Sequence, residues 1–326
     1  MSRPACTVVI PSYNGRHLLE ICLASVWRHR PDGVEVIVAD DASTDDTPAW
    51  LARSYPAVRL VRLARNLGFC GAANAGIVAA GGEFIQLLNN DTEVTAGWIE
   101  AGLAPFARAD VGSVAPLVLV RSDPSQVDSA GDQYSLVGLP SKRGHGQPAR
   151  RWREHPSDLV FGASGSSAFY RASAIGKVGA YDPAFGSYYE DVDLAFRLRW
   201  AGYSCRYAPA CTILHEVSAS YDHGRPALQR RMARNAEILF WTDLPAPWLA
   251  AGLIPHAAFT LSQAAHRLLQ GRFRPFALGK LDALREAPSF RARRRLRADL
   301  ARAPVTRPHF PMRVAPSLGR LAPRRG

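Results

Sequence analysis

Short apolar runs and longer amphipathic stretches alternate along the first 90 residues of the chain. The apolar runs predict four strands, and apolar residues at helical spacing predict helices between them. The strands are expected at 6–10, 34–39, 58–63 and 83–88, and the helices at 17–29, from about 43, and at 71–80. This alternation predicts an α/β fold with a mostly parallel sheet and helices on both of its faces.

Polar residues directly follow three of the predicted strands. They are Ser12 and Asn14, then Asp40 and Asp41, then Asn90 and Asp91. Because ligands bind at the carboxyl ends of the strands in such sheets, we expect these side chains to line one rim of the molecule.

The second half of the chain has a less regular pattern. Residues 121–158 are rich in turn-forming and polar residues, so we expect a long loop with one short hairpin. A strand is predicted at 165–170, a helix at 192–201 that ends at Gly202, and a last strand that reaches His215. Beyond Ala236 the pattern is helical and becomes rich in arginine, which predicts a helical basic extension.

Three carboxylates crowd into the run Tyr189-Glu190-Asp191-Val192-Asp193. One explanation is a helix start, where acids interact well with the positive end of the helix dipole. The functional explanation is a proton-transfer or cation site, because like charges this close raise one another's pKa. The pattern alone leaves both explanations open.

Asn90 and Asp91 also permit two interpretations. Both residue types favour turns after a strand. The alternative is a divalent-metal site, since such cations take oxygen ligands from one or two carboxylates and from substrate phosphates. His215 would ordinarily be a hydrogen-bonded histidine at a strand end, but close to Asp91 it would complete a site that suits Mn²⁺.

The formal net charge of +12 is concentrated near the C-terminus. From His266 onward there are 16 Arg and Lys against three acids, whereas residues 1–265 carry 24 basic and 25 acidic residues. No apolar run reaches the roughly 20 residues that span a bilayer, and the N-terminus lacks the layout of a signal peptide. The five cysteines form no C-x-x-C pair, which predicts buried thiols in a reducing compartment.

Six motifs resemble those of the family 2 glycosyltransferases, which have the GT-A fold. They are Val8-Val9-Ile10-Pro11-Ser12-Tyr13-Asn14-Gly15, Val38-Ala39-Asp40-Asp41-Ala42-Ser43-Thr44-Asp45, Arg65-Asn66-Leu67-Gly68-Phe69, Leu87-Leu88-Asn89-Asn90-Asp91-Thr92, Tyr189-Glu190-Asp191-Val192-Asp193 with Arg197, and His215 with Ser218. They stand in the family's order. One position departs from the D-x-D-type metal motif: Asn89 replaces its first acid, so a metal would rest on Asp91 and the donor diphosphate.

The resemblance implies roles for individual residues. A dTDP-, UDP- or GDP-sugar donor would contact Pro11, Ser12, Tyr13, Asn14, Asp41, Asn66, Asn74, Asn90 and Asp91. Asp91 and His215 would hold Mn²⁺ or Mg²⁺. Asp191 would be the catalytic base, with Glu190 and Asp193 raising its pKa. The acceptor side would be lined by Gly162, Ala163 and Tyr189.

The resemblance therefore implies an inverting, metal-dependent, rhamnosyltransferase-like enzyme that adds one sugar to a glycan or lipid-linked glycan of the cell envelope. Residues 1–240 would form the GT-A domain, with a nucleotide-sugar-binding half at 1–120 and an acceptor-binding and catalytic half at 121–240. Residues 241–326 would form a helical basic tail.

The stretch 285–302 interleaves arginines with Phe290, Leu296 and Leu300. A solvated basic helix and a nucleic-acid-binding helix are two explanations. We favour attachment to an anionic membrane surface, since basic amphipathic helices lie in the headgroup region. The aromatic interleaving is thin and no recognition fold is visible, so no nucleic-acid partner is expected. The protein would then be cytoplasmic and peripheral on the inner face of the cell membrane.

Two other functions compete with this one. A sugar-phosphate nucleotidyltransferase also uses an α/β sheet and Mg²⁺, but it should carry a Gly-rich, Arg- and Lys-bearing loop after its first strand, and residues 11–15 do not form such a loop. A catalytically silent glycan- or nucleic-acid-binding protein would not require Asp91, Asp191 and His215 together.

Overall fold

The structure is a computed structural model that describes residues 4–217, 225–307 and 309–311. The strands are β1 (Cys6–Ser12), β2 (Glu35–Asp40), β3 (Arg59–Arg62), β4 (Phe84–Leu88), β5 (Thr92–Val94), β6 (Val111–Val120), β7 (Asp123–Ser129), β8 (Asp132–Tyr134), β9 (Pro140–Lys142), β10 (Leu159–Val160), β11 (Ser167–Arg171) and β12 (Ser204–His215).

The helices alternate with the strands at first and then follow one another. They are α1 (Arg16–His29), α2 (Thr47–Ser54), α3 (Gly68–Ala79), α4 (Trp98–Leu103), α5 (Ala149–Arg153), α6 (Ala172–Val178), α7 (Glu190–Trp200), α8 (Pro226–Asp243), α9 (Ala246–Leu269), α10 (Phe273–Arg285) and α11 (Ala287–Arg302).

One sheet in the order β10-β12-β6-β11-β4-β1-β2-β3 forms the centre of the molecule. Strands β3, β2, β1 and β4 pair in parallel, and β6 and β12 run in the same direction as they do. Strand β11 lies antiparallel between β4 and β6, and β10, β5 and β7 pair antiparallel at the margins of the sheet. The predicted mostly parallel α/β sheet is therefore confirmed. Because β1, β2, β4 and β12 share a direction, their carboxyl ends lie at the same rim of the sheet. These ends are Ser12, Asp40, Leu88 and His215.

Apolar side chains cover both faces of this sheet. One buried cluster joins Val9, Ile37 and Leu87 to helix α3, and the other joins Val8, Ile10 and Val38 to helix α1. Successive residues of β1 thus point to opposite faces, and both faces are apolar, as a sheet covered by helices requires. All five cysteines are buried free thiols, as predicted.

The segment 121–158 differs from the predicted long loop. Strand β7 extends the central sheet beside β6, β8 and β9 form the expected short hairpin, and α5 packs against β7. The turn-forming residues were correctly located, but β7 has three consecutive buried residues after an exposed stretch and so lacks the alternation that predicts a strand. This segment brings charged residues to the rim.

The C-terminal helices form a layer over α7. Residues of α8 and the start of α9 pack with Tyr134, Phe161 and Phe196 in a third apolar cluster, and α10 and α11 pack against α8. The predicted domain boundary at residue 240 lies within α8. None of the helices in the described part of the chain combines the length and apolar character needed to cross a membrane.

Helix α11 differs in part from the expected membrane-facing basic helix: Arg291, Arg295 and Leu296 are exposed, but other residues face the protein. Arg297 is 4% exposed and pairs with Asp193 and Asp243. Arg293 Nη1 lies 2.6 Å from Asp182 Oδ2. Arg294 and the apolar Phe290 and Leu300 also face the protein. Arg294 donates to backbone carbonyls at the end of α8, and the two apolar side chains pack against the buried clusters. Three arginines of α11, at 293, 294 and 297, therefore bind partners within the protein.

Candidate active site

Helix α7 begins in a strained turn. Tyr188 and Tyr189 have φ values of 68° and 72°, in the left-handed region that residues with a Cβ rarely adopt. Such a conformation costs on the order of 1–3 kcal/mol per residue and persists where its surroundings enforce it. Asn235 of α8 does so: its Nδ2 lies 3.0, 3.2 and 2.8 Å from the carbonyl oxygens of Phe185, Ser187 and Tyr188. Sequence analysis missed this residue, which helps to fix where the acids of α7 lie.

Asp191 lies against the small-residue segment 162–165. Its Oδ2 accepts a hydrogen bond of 2.7 Å from the backbone N–H of Gly165, and its Oδ1 accepts one of 2.8 Å from Val192. A Cβ at position 165 would stand 3.2 Å from Oδ2, so glycine lets the backbone approach the carboxylate. The structure therefore brings the predicted base next to the segment that holds the predicted acceptor residues Gly162 and Ala163.

Three carboxylates meet at this point: Asp191, which is partly exposed, and the buried Glu190 and Asp132. Burial raises the pKa of Glu190 well above its ordinary value, and the charges of Asp191 and Asp132 add to the effect. Burial and the charge of Asp191 likewise raise the pKa of Asp132. Burial raises the pKa of Asp191 too, against the opposing effect of its two backbone N–H donors. We call these three acids the front cluster.

Asp193 does not belong to the front cluster, which corrects its predicted role. Burial alone would raise its pKa, but the guanidinium groups of Arg197 and Arg297 outweigh burial and lower it. Arg197 Nε donates to Asp193 Oδ2 over 2.7 Å, and Arg297 bridges Asp193 to Asp243. Asp193 is therefore compensated by cations, and the acid that acts with Glu190 on Asp191 is Asp132. We call Asp193 and Asp243 the back cluster.

Asp91 and His215 come together through strand pairing. Strand β5 starts directly after Asp91 and sets Thr92 opposite His215 at the end of β12. His215 Nε2 lies 3.4 Å from Asp91 Oδ1, and His215 Nδ1 lies 3.0 Å from Asp128 Oδ2. Burial lowers the pKa of His215, but the two acids outweigh burial and raise the pKa to about 9. The site thus favours positive charge.

The donor atoms at Asp91 and His215 fit a divalent cation. A carboxylate with an imidazole is a borderline set that suits Mn²⁺, and such ions commonly take their remaining ligands from substrate phosphates and water. Within residues 4–217, 225–307 and 309–311, no group of three or more His, Cys, Asp or Glu side chains has the arrangement of a complete metal site. A metal bound here would share its coordination with the substrate.

The segment 121–158 supplies charged residues that sequence analysis missed. Lys142 Nζ lies 2.8 Å from both carboxylate oxygens of Asp128, and His145 Nδ1 lies 2.9 Å from the Asp128 backbone oxygen. Lys142 opposes the rise in the pKa values of Asp132 and Asp191. It therefore links the Asp91–His215 pair to the front cluster. The sequence did not predict this position for Lys142, because an isolated charge in a turn-rich stretch has no distinguishing pattern.

The predicted nucleotide contacts cluster at the end of β1. Tyr13 and Asn14 are exposed, whereas Pro11 and Ser12 are buried within the strand. Ser12 Oγ accepts a hydrogen bond of 3.1 Å from Asn90 Nδ2, which joins the ends of β1 and β4. The aromatic face of Tyr13, 49% exposed, is available to a base.

Asp41 holds a loop in this structure. Its two carboxylate oxygens accept hydrogen bonds of 2.7 and 2.8 Å from the backbone N–H groups of Leu67 and Gly68. Asn66 lies exposed in the same loop, and its Oδ1 accepts from the Gly68 N–H. Asp41 thereby fixes the start of α3, and its contact with a nucleotide base stays a prediction.

Asn74 ties α3 to the segment after α6. Its Nδ2 donates to the Tyr181 carbonyl over 2.7 Å, and its Oδ1 accepts from the Tyr181 N–H over 2.9 Å. Both ends of the amide therefore have structural partners, and the donor contact stays a prediction. Ser218, the second residue of the motif at His215, lies outside the described residues.

Sequence comparison relates this chain to enzymes of one family. The family model described as "Glycosyl transferase family 2" matches residues 7–179. The N-acetylglucosaminyl-diphospho-decaprenol L-rhamnosyltransferase of Mycobacterium tuberculosis is 31% identical over 289 residues, which cover 82% of this chain and 94% of that protein.

Two solved structures share the fold. GalNAc-T7, crystallised with UDP, GalNAc and Mn²⁺, has a TM-score of 0.58 and 18% identity, and the match covers 72% of this chain and 48% of that one. The mannosyltransferase PcManGT from Pyrobaculum calidifontis, in complex with GDP-Man and Mn²⁺, has a TM-score of 0.54 and 21% identity, with coverage of 93% and 86%. At these identities the likeness concerns the fold alone.

Proposed function

This chain belongs to the family 2 glycosyltransferases, and we propose that it moves one sugar from a nucleotide-diphosphate sugar to a lipid-linked glycan of the cell envelope, with inversion at the anomeric carbon. The M. tuberculosis relative is named for a rhamnosyl transfer to a diphospho-decaprenol acceptor. L-Rhamnose is therefore the first donor sugar to test. Family membership decides against the nucleotidyltransferase and the silent binding protein.

The observation that carries the proposal is the environment of Asp191. Its carboxylate is held by Gly165 and Val192 beside two acids whose pKa values are raised. Groups whose environments push their pKa values apart take different acid–base roles. Glu190, with no such pair of N–H donors, keeps its proton more readily, whereas Asp191 is the carboxylate available to accept one.

The reaction follows from this arrangement. Asp191 takes the proton of the acceptor hydroxyl, and the hydroxyl oxygen forms the new bond to the anomeric carbon. The bond to the leaving nucleoside diphosphate breaks on the opposite face, so one displacement inverts the configuration. The small residues Gly162 and Ala163 leave room for the acceptor sugar, and Tyr189 borders it.

The donor would lie along the rim at the ends of β1, β2 and β4. Tyr13 and Asn14 would contact the nucleoside, and Asn66, Asn74 and Asn90 would lie near the phosphates. Asp91 and His215 would hold Mn²⁺ or Mg²⁺, which when bound supplies a Lewis acid for the charge of the leaving diphosphate. The half 1–120 would thus bind the donor, and 121–240 would bind the acceptor and carry the base.

Transfer to a soluble-chain analogue of N-acetylglucosaminyl-diphospho-polyprenol tests this function. We expect one of the dTDP-, UDP- and GDP-sugars, with dTDP-L-rhamnose tested first, to yield a product one sugar heavier by mass spectrometry. The yield should depend on Mn²⁺ or Mg²⁺ and disappear with a chelator. NMR of the product should show the anomeric configuration opposite to that of the donor. Retention of configuration would refute the single displacement, and no transfer from any donor would refute the proposal.

A further inference from the structure

Helix α9 has one face attached to the protein and one face without protein contacts among the described residues. The attached face uses Gly252 and His256, the buried residues of the helix. His256 Nδ1 lies 2.8 Å from the Val137 carbonyl oxygen, and its Nε2 lies 3.1 Å from Glu237 Oε1. A Cβ at Gly252 would come within 2.8 Å of the Leu136 carbonyl oxygen. The orientation of α9 is therefore fixed.

The outward face of α9 is apolar along its length. Ile254, Leu261 and Leu268 are spaced by seven residues, so they lie in one stripe, and they are 83%, 71% and 63% exposed. The exposed positions between them are mostly alanines. Leu269 and Phe273 continue the apolar surface around the turn into α10. Soluble proteins rarely leave a contiguous apolar surface of this length exposed unless it binds something.

Charge indicates what covers this surface. No Asp or Glu occurs between Asp243 and Asp282. Arg272 and Arg274 are exposed in the turn that carries Phe273. An apolar stripe with arginines at one end and no acids suits the interface of an anionic bilayer, where apolar side chains enter the acyl boundary and arginines meet the headgroups.

The helix that carries the stripe packs, through Trp248 and Leu249, against the same apolar cluster as Tyr189. Burial raises the pKa of the Tyr189 hydroxyl to about 12 and the charge of Asp191 adds to this, while the charge of Arg267 opposes it. Arg267 lies in the last turn of α9. A membrane on this face would meet the protein beside the acceptor site.

We propose that the outward face of α9 and the α9–α10 turn form the membrane-docking surface, and that the partner is the interface of an anionic phospholipid bilayer. This assignment rests on the proposed function, since a lipid-linked acceptor must reach Asp191 from a membrane. It moves the docking surface away from α11, whose arginines at 293, 294 and 297 face the protein.

Flotation with two kinds of vesicle tests the proposal. One kind contains phosphatidylcholine alone and the other also contains phosphatidylglycerol. The triple variant Ile254→Ser/Leu261→Ser/Leu268→Ser should bind the anionic vesicles about tenfold more weakly or worse, because it removes the three large apolar side chains of the stripe. Arg272→Gln/Arg274→Gln should lose the preference for anionic vesicles, and added salt should have less effect on its binding.

The matched control changes two exposed arginines of α11, Arg291→Gln/Arg295→Gln, and should bind as the wild type does. Hydrolysis of the soluble donor should be the same in all variants. Loss of vesicle binding in the α11 variant but not in the α9 variants would overturn the assignment. So would a wild-type dimer that becomes a monomer in the triple variant by light scattering, because the stripe would then cover a second copy. Vesicle binding without any donor turnover would instead contradict the proposed function alone.

Discussion

Carboxylates lie on two sides of helix α7, and the two groups are compensated in different ways. In the back cluster, Asp193 and Asp243 are bridged by Arg297, and Asp193 also pairs with Arg197. In the front cluster, Asp191 accepts hydrogen bonds from two backbone N–H groups and lies near Lys142. Within the described residues, none of the cluster's three acids forms an arginine salt bridge like those of Asp193, although the charge of Arg231 acts on Glu190. Asp191 and Asp193 stand two residues apart, yet the pKa of the first is raised and that of the second is lowered.

The presence or absence of arginine partners distinguishes a structural acid from a candidate catalytic one. Burial raises the pKa of a carboxylate in both clusters, so burial does not distinguish them. Arginine pairing separates Asp193 from Asp191, because Asp193 is held ionised by Arg197 and Arg297, whereas an acid without such partners is poised to titrate. Such incomplete compensation is costly and is concentrated at functional sites. Asp243 shares Arg297 with Asp193, and there burial outweighs the arginine and raises the pKa to about 6.

The largest expected effect comes from breaking the back cluster. Arg297→Met leaves Asp193 and Asp243 buried with less compensation, which should lower the free energy of unfolding by about 3–5 kcal/mol. Urea unfolding measures this. Arg295→Met, on the same helix but exposed, should change stability by no more than about 0.5 kcal/mol. Equal effects of the two substitutions would mean that the bridge seen at Arg297 contributes nothing specific.

Asp128 combines features of the two clusters. It pairs with cationic side chains, as the back cluster does, but it lies beside the predicted metal ligands. Its contact with His215 Nδ1 orients the other ring nitrogen toward Asp91. Asp128→Ala should therefore weaken Mn²⁺-dependent nucleotide binding by about 10- to 100-fold. Calorimetry with Mn²⁺ and a nucleoside diphosphate gives the value, and Asp123→Ala on the exposed part of β7 is the control. Unchanged metal-dependent binding would remove Asp128 from the site.

Glu190 of the front cluster and Asp193 of the back cluster should respond to pH in opposite directions. Above the ordinary pKa of 4.5, an unfolded chain loses the Glu190 proton while the folded chain keeps it. Rising pH therefore destabilises the fold through Glu190 by up to about 1.4 kcal/mol per pH unit. Glu190→Gln removes this cost, so it should gain stability relative to the wild type as the pH rises from about 5 to about 7.

Asp193 should change the stability of the fold with pH in the opposite direction. Its pKa is lowered, so its stabilisation is present above the ordinary value of 3.8 and is lost as the pH falls. Asp193→Asn should therefore cost most near neutral pH and least in acid. Parallel pH curves for Glu190→Gln and Asp193→Asn would show that the two acids do not differ as described.

The smallest expected effect comes from Gly165→Ala. The added methyl group would stand 3.2 Å from Asp191 Oδ2 and must push the carboxylate by a few tenths of an ångström. Because catalysis depends on position, turnover should fall by roughly threefold to tenfold, with little change in nucleotide affinity. Ala163→Gly is the control, because it shows whether any substitution in this segment lowers turnover. A fully active Gly165→Ala enzyme would show that Asp191 tolerates displacement.

The sequence predicted the parts of the site that lie at the ends of regular elements. Asp91 and His215 follow from strand ends, because strands of one direction bring their ends to one rim. Asp191 follows from a crowded acid run at a helix start. The short hairpin within 121–158 was also predictable, because turn-forming residues determine the backbone at their own position. The burial of the cysteines was predictable because a free thiol behaves as a small apolar side chain.

The remaining parts depend on pairing between distant residues. Asp132 and Lys142 are single charges in a turn-rich stretch, and their position beside Asp191 depends on how that stretch packs. Arg297 carries the same local signature as any arginine of a basic helix, yet it meets Asp193 across 104 residues. Local pattern therefore predicts which residues are charged, whereas tertiary packing decides which charges are neutralised.

Turnover of Asp191→Asn tests the central claim most directly, because the substitution keeps the size of the side chain and removes its ability to accept a proton. We expect kcat to fall by about 10² or more, while the affinity for the nucleoside diphosphate with Mn²⁺ stays close to that of the wild type. Near-normal turnover in a folded Asp191→Asn enzyme would contradict the assignment of the front cluster as the catalytic one.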